Sequence, residues 1–286
     1  MLLLVGALIV IVCVIGGYAA MGGHLLVLVQ PFELVIIGGA AVGAYVIANP
    51  MPVLKRTRHA FTMAFRGSRY DKAAYVELLS LLYAVFRLIR TKGLLVLEQH
   101  IEHPDESPLF KQFPSFAADH HAMTFLCDYL RLLTLGSENA MEIEQLMDEE
   151  LETHEAESAH LHHALQTMAD GMPALGIVAA VLGVIKTMAA ITEPPEVLGR
   201  LIGGALVGTF LGVWLSYGFI GPIAAAVKAT HEAEMRYLHC IKAGFLAHLQ
   251  GYAPSVSIEF ARKALMSDVR PTFHELEEAT SRLVAT

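Results

Sequence analysis

Charge is the first thing this 286-residue chain is short of. Asp, Glu, Lys and Arg make up 17% of it and hydrophobic residues 55%, against about 25% and 45–50% in an ordinary globular protein. No Lys or Arg occurs before Lys55, and Glu33 is the one charged residue among the first 49. Cysteine is scarce as well. Cys13, Cys127 and Cys240 make no CxxC pair and no even framework, which excludes a disulfide scaffold or a cysteine-rich zinc module. The net charge of −8 argues against nucleic acid as a partner, and the high hydrophobicity argues against disorder. Catalytic signatures are missing too. There is no HExxH, no GxSxG and no dinucleotide fingerprint, and Gly183-Val-Ile-Lys186-Thr187 lacks the glycine directly before lysine that a phosphate loop needs. No catalytic residue, metal site or cofactor is assigned, and the chain is not expected to be an enzyme.

What charge there is falls in blocks. Residues 50–170 carry eleven basic and eighteen acidic side chains, residues 171–227 carry only Lys186, Glu193, Glu196 and Arg200, and residues 228–286 carry seven of each sign. A bilayer core takes about 20 apolar residues per helix. The block 1–49 therefore accommodates spans at 1–20 and 34–49, and the block 171–227 accommodates spans at 173–191 and 201–227. The first span lacks the basic start of a cleaved leader, so it reads as a retained helix. Glu33 sits at the mouth of the second. The expected fold is an all-α integral membrane protein. It has four transmembrane helices in two hairpins, a large helical cytoplasmic domain over 50–170, and a cytoplasmic helical tail over 228–286.

Lys and Arg near the membrane set orientation. Connector 21–32 has neither, whereas Lys55, Arg56, Arg58, Arg66 and Arg69 follow the second span, and Lys228 follows the fourth. Arg200, directly after the 192–199 connector, runs against the trend. Both termini are expected in the cytoplasm of a bacterial cell with both short connectors outside.

The polar blocks read as helices. Residues 75–90 lack Gly and Pro, Gly93 interrupts, and 94–101 resumes. Residues 123–168 form a second helical stretch, which runs toward the third span past Gly171 and Pro173. The tail continues the fourth span to about residue 250, and a last short helix is expected near 258–266 between Pro254 and Pro271. The cluster His154, His160, His162 and His163 reads as surface histidines of a helix rather than metal ligands.

The apolar blocks carry more information. Gly204, Gly208 and Gly212 form a GxxxGxxxG stripe that allows close helix packing, expected here to serve assembly with other chains. Pro173 stands at the start of the third span. Pro222, after Gly218 and Gly221, reads as a kink. The span centres contain no Asp, Glu or His, so an ion path through them needs a carboxylate from another chain. Thr209, Ser216 and Tyr217 are the polar groups of the fourth span.

Five segments together resemble the MotA family of flagellar stator subunits over essentially the whole chain: GGYAAMGG (16–23), QPFELVIIGGAAVGAYVIANP (30–50), RTKGLLVLEQHIEHP (90–104), ADGMPALGIVAAVLGVIKTM (169–188) and GGALVGTFLGVWLSYGFIGPIA (203–224). The resemblance implies five copies around two chains of MotB, a peptidoglycan-anchored partner whose aspartate carries the ion, in the lipid of the inner membrane. Ion flow would turn the ring against the rotor protein FliG. Arg90 and Glu98 match the charged pair that meets the rotor, with Glu150 a weaker candidate. Pro173 and Pro222 match the prolines that couple ion flow to shape change, and Thr209 matches the threonine beside the partner aspartate. Sodium-driven relatives place threonine where this chain has Val178-Ala179-Ala180-Val181. With Ala180 and Phe210 offering no hydroxyl beside Thr209 and Tyr217, the expected ion is the proton. The ExbB/TolQ energisers of outer-membrane processes are the alternative, and their three-span pattern fits less well.

Overall fold

The computed structural model describes residues 2–137 and 139–283, and no strand occurs among them. The helices are α1 (Leu2–Ala20), α2 (Pro31–Ala48), α3 (Met51–Arg66), α4 (Lys72–Lys92), α5 (His120–Thr134), α6 (Ala140–Met188), α7 (Pro195–Leu249), α8 (Pro254–Lys263) and α9 (Phe273–Ser281). Four of these, α1, α2 extended back to Leu25, α6 and α7, are long and apolar enough to cross a membrane.

Several boundaries follow from local chemistry that periodicity misses. The second apolar helix starts at Pro31, whose fixed φ suits the first turn, earlier than the expected residue 34. A 3-10 turn, Leu25–Leu28, precedes it. The stretch 123–168 is not one helix. Gly136 adopts φ 93° between α5 and α6, a conformation costly to any residue with a Cβ. Pro173 does not start a helix but lies inside α6. The 192–199 connector is shorter than expected, because Pro195 opens α7 and takes Gly199 and Arg200 into it. After Gly93 (φ 84°), residues 94–101 form a 3-10 turn followed by the single helical turn Glu98–Ile101. The tail holds two helices after Leu249. α9 begins at a capping box in which Thr272 and Glu275 satisfy each other's backbone N–H groups.

Contacts gather the chain into two units. One comprises Met1–Gly67 and Glu157–Thr230, so residues 50–67 and 157–170 pack with the apolar helices. Its core has two clusters. Ile37, Ala41, Met172, Ala179, Val207 and Leu211 join α2, α6 and α7, while Ala60, Ala64, Leu161, Leu165, Ala224 and Val227 join α3 to α6 and α7. Large apolar side chains stay uncovered along its helices, among them Leu4 at 60%, Ile47 at 88% and Leu206 at 63% exposure, as helices in lipid require.

The other unit comprises Ser68–Ala156 and His231–Thr286. Asp71 and Asp119 cap α4 and α5 by accepting from the amides of Ala74 and Ala122. The apolar faces of these helices close over one core that includes Tyr75, Leu82, Phe86, Phe125, Tyr129, Tyr237 and Phe245. Tyr70 stacks on Tyr237 with ring centroids 4.4 Å apart.

Candidate functional site

In the apolar unit, α6 and α7 meet backbone to backbone. A Cβ built on Gly176 would stand 2.8 Å from the Gly208 carbonyl oxygen and 3.0 Å from Gly212 Cα. One built on Gly212 would stand 2.7 Å from the Met172 carbonyl oxygen, and one on Gly183 2.6 Å from Ala205 Cβ. Gly204, Gly208 and Gly212 are all buried. Residues four apart share a helix face, so the glycine stripe is consumed by packing within this chain. This is the packing alternative to the assembly role expected for the stripe. Gly204 faces the Gln30 side chain and Gly208 faces Glu33.

Thr209 belongs to this seam. It is half-buried and its Cα would lie 3.3 Å from a Gly176 Cβ. Ala180, also half-buried, borders it through its backbone nitrogen, 3.1 Å from a Cβ at Gly208. Tyr217 lies apart at 68% exposure, in a π-helical turn, Ser216–Ile220, that interrupts α7. Pro222 follows that turn directly. Proline cannot donate to a preceding carbonyl and its ring crowds that turn; the wider π turn accommodates both effects. Pro222, Gly218 and Phe219 line a cavity of about 350 Å³ with Leu3, Gly6 and Val10 of α1.

Pro173 is supported by a residue that sequence reasoning noted only as polar. Pro173 has no N–H for the carbonyl of Ala169, four residues earlier in α6. The fully buried Ser216 hydroxyl donates to that carbonyl at 2.6 Å.

Glu33 was expected at the mouth of a span. It stands in the first turn of α2 with its side chain folded inward, 9% exposed, and its Oε2 has no hydrogen-bond partner among the described residues.

In the polar unit, Arg90 in the last turn of α4 and Glu98 at the start of the next helical turn are both exposed. Between them Leu95 is 75% exposed, while Leu97 anchors the segment in the core. Glu150 is of a different kind. Its Oε2 accepts a 2.6 Å hydrogen bond from the hydroxyl of Tyr129. Its Oε1 lies 3.6 Å from His154 Nε2. His154 Nε2 is 3.3 Å from His121 Nε2, and His121 Nδ1 is 3.1 Å from Glu234 Oε1. His231 Nδ1 meets the other oxygen of Glu234 at 3.1 Å. The hydrogen bond to Glu234 lifts the His121 imidazole above its ordinary range, against the effect of burial. Burial opposes ionisation of Glu234, but the two histidines outweigh it and hold the carboxyl far below its ordinary value. This network ties α5, α6 and α7 together and was missed because its members are far apart in sequence.

His160 and His163 line a cavity of about 430 Å³ with Asn49, Arg56 and Glu157. The Arg56–Glu157 pair spans 2.8 Å. Among the described residues no group of three metal-ligating side chains gathers there or elsewhere.

Residues 4–93 match the family model Motility protein A N-terminal, and residues 118–239 match the MotA/TolQ/ExbB proton channel family. The chain is 47% identical over 278 residues to Motility protein A of Salmonella typhimurium, covering 97% of this chain and 94% of that protein. It superposes on a chain of the flagellar MotAB stator complex from Bacillus subtilis with a TM-score of 0.71 and 26% identity, covering 92% of this chain and 94% of that one. It shares the fold of a chain of C. jejuni MotAB, with a TM-score of 0.78 and 19% identity over 93% of this chain and 96% of that one.

Proposed function

Since the chain belongs to the Motility protein A family, we propose that it is a flagellar-motor stator subunit that forms, with MotB, a proton-conducting complex converting ion-motive force into torque on FliG. The observation that carries this reading is the seam of α6 and α7. Two apolar helices held in backbone contact by Gly176, Gly208 and Gly212 bring Thr209 and Ala180 to one site. The ion-carrying carboxylate then comes from MotB, and α6 and α7 supply a shaped, mostly apolar wall. One hydroxyl with apolar neighbours suits proton transfer, since a metal cation demands several oxygen ligands. The apolar faces left uncovered on α1, α2 and α7 are consistent with lipid and neighbouring subunits, in a ring of five around two MotB chains. The setting is the inner membrane, with both termini cytoplasmic.

Pro173 and Pro222 are the coupling elements; Ser216, which opens the π turn before Pro222, holds the carbonyl that Pro173 leaves without its helical donor. Arg90 and Glu98 form the rotor contact with the exposed Leu95 between them. Glu150, held by the Tyr129 hydroxyl, is the weaker candidate for that contact. The ExbB/TolQ-like alternative is disfavoured by the Motility protein A match over residues 4–93.

Deletion of the gene tests the reading. Cells are expected to assemble flagella and fail to spread in soft agar, with full spreading restored by the parent gene and not by Arg90→Glu. Normal spreading of the deletion strain, in a cell with no second stator set, overturns it. Addition of a protonophore is expected to stop rotation. Speed that follows external sodium and ignores the protonophore refutes the proton assignment.

A further inference from the structure

Glu33 has no role in the scheme above, yet it is the acidic side chain that α2 brings against the seam. It sits in the first turn of α2, is nine-tenths buried, and leaves Oε2 without a hydrogen-bond partner among the described residues. The atom is aimed at a notch that only glycine allows. A Cβ on Gly208 would stand 2.9 Å from Oε2, 3.0 Å from Ala179 Cβ and 3.1 Å from the Ala180 nitrogen. One turn earlier on α7, Gly204 takes the Gln30 amide in the same way. So Gln30 and Glu33 lie side by side along the glycine stripe, and the residue after Gly208 is Thr209.

An unpaired carboxylate in apolar surroundings is strongly disfavoured, and an ionisable group inside a membrane segment marks a pathway more often than a structural need. No cationic partner is at hand among the described residues. α6 presents Ala179 and Ala180 and α7 presents Gly208 to the carboxyl. The ionisable residues nearest in sequence on those helices are Lys186, Asp170, Arg200 and Tyr217, the closest of them about 9 Å along its helix from the contact position. His24 lies on the preceding connector, and Tyr45 is the titratable residue of α2 itself. Even with the Gln30 amide oxygen and the Thr209 hydroxyl counted, the notch offers fewer oxygens than the about six that a hard metal cation takes, but one carboxyl is sufficient for a proton.

We propose that Glu33 is a second proton-exchange site of the stator, carried by this chain, at the Gly208 notch beside Thr209. It rests on the stator reading. The carboxylate takes one proton from hydronium entering on the outer side, so that a hydronium O–H bond breaks, water is left and a Glu33 O–H bond forms; the same proton then passes inward, the Glu33 O–H bond breaking as one forms on the partner's carboxylate. Glu33 modulates entry and is not the obligate carrier. Motors without it still turn, but their dependence on external pH changes.

The test uses the intact complex in membranes. A hydrophobic carbodiimide reacts with protonated carboxyls in apolar surroundings to leave a stable N-acylurea. Mass spectrometry is expected to find that adduct on Glu33 after treatment at acidic external pH and to find less of it at alkaline pH. In parallel, Glu33→Gln, which keeps the shape and removes the titration, is expected to assemble with its partner in normal amount. Its rotation speed is expected to lose much of the variation with external pH that the parent shows. No adduct at Glu33 at any pH, or a Glu33→Gln speed profile identical to the parent's, overturns the proposal. The labelling needs no variant, so it decides the matter even if Glu33→Gln fails to assemble. If gene deletion leaves swimming intact, the stator reading itself fails. If deletion stops swimming while Glu33 stays unmodified, only this inference falls.

Discussion

The Ser216 hydroxyl occupies the place that an amide N–H at position 173 would fill, 2.6 Å from the carbonyl oxygen of Ala169. A buried carbonyl left without a donor is destabilising. Ser216 thus supports Pro173 from another helix, at the very start of the π turn that leads to Pro222. A hydroxyl that looks unrelated to Pro173 in the sequence thus supplies the hydrogen bond that the proline cannot.

Ser216→Ala is expected to destabilise the solubilised protein by about 1–3 kcal/mol, the penalty for stranding a buried acceptor. Pro173→Ala restores an N–H to the same carbonyl, so the double variant is expected to be more stable than Ser216→Ala alone. A double-mutant cycle on thermal unfolding reads this directly. Strict additivity of the two changes would show that the side chains are uncoupled.

Gly176→Ala is expected to force α6 and α7 apart, because its methyl meets the α7 backbone at Gly208, Thr209 and Gly212. Overpacking of this kind costs about 1–3 kcal/mol, and it is expected to abolish rotation by moving Thr209. Gly199→Ala, in the exposed first turns of α7 where a Cβ meets nothing within 4 Å, serves as the control and is expected to be neutral or mildly stabilising. Equal effects of the two would contradict the seam.

The His121–Glu234 pair makes stability depend on pH with a definite sign. Glu234 is held below its ordinary value of 4.5, so its contribution is present above that pH and is lost as pH falls through the lowered value. His121 is raised above 6.5, so its contribution is complete below that pH and is lost as pH rises through the raised value. Both shifts describe one ion pair, with His154, Glu150, His231 and Asp119 around it. Thermal unfolding of the full chain is expected to show the pair's contribution at its greatest between these two ordinary values and declining toward mildly alkaline pH. His121→Ala should flatten that decline; an unchanged slope in this variant would refute the assignment.

Arg90 and Glu98 are exposed, whereas Glu150 is engaged by Tyr129. Charge reversal at Arg90 or Glu98 is expected to leave protein abundance and melting temperature unchanged while soft-agar spreading collapses. Glu150→Gln is expected to lower the melting temperature as well, because the charged acceptor of the Tyr129 hydroxyl is lost, an effect of about 1.5–3 kcal/mol. If melting responds alike to all three changes, the distinction between surface and support is wrong.

Much of the architecture is legible in the residues alone. Four apolar runs, the polar block between the second and third, and the glycine rhythm at 204, 208 and 212 follow from composition and spacing. The break at Gly136 and the capping box at Thr272 are readable in principle, but glycine and threonine are too common for either to stand out against a helical background. The weak breaker pair Gly171 and Pro173 already suggests a helix that runs on into the third span, as α6 does, but the Ser216 hydroxyl that supports Pro173 there is not readable, because it arrives from another helix.

The amino-acid sequence by itself determined where charge is absent, and therefore which segments suit lipid and which suit water. That is a property of each segment's own transfer free energy, independent of its neighbours. Only the tertiary structure decided what the few polar groups within the apolar segments do. Ser216 and Ala169 are 47 residues apart, and Glu33 meets Gly208 across a far longer separation. Satisfying a carbonyl or leaving a carboxyl unpaired depends on which helix arrives opposite it, and local periodicity carries no information about that arrival. The same holds for the glycine stripe, whose spacing announces close packing and whose neighbours, α6 at Gly208 and Gly212 and the Gln30 side chain at Gly204, appear only once the helices are assembled.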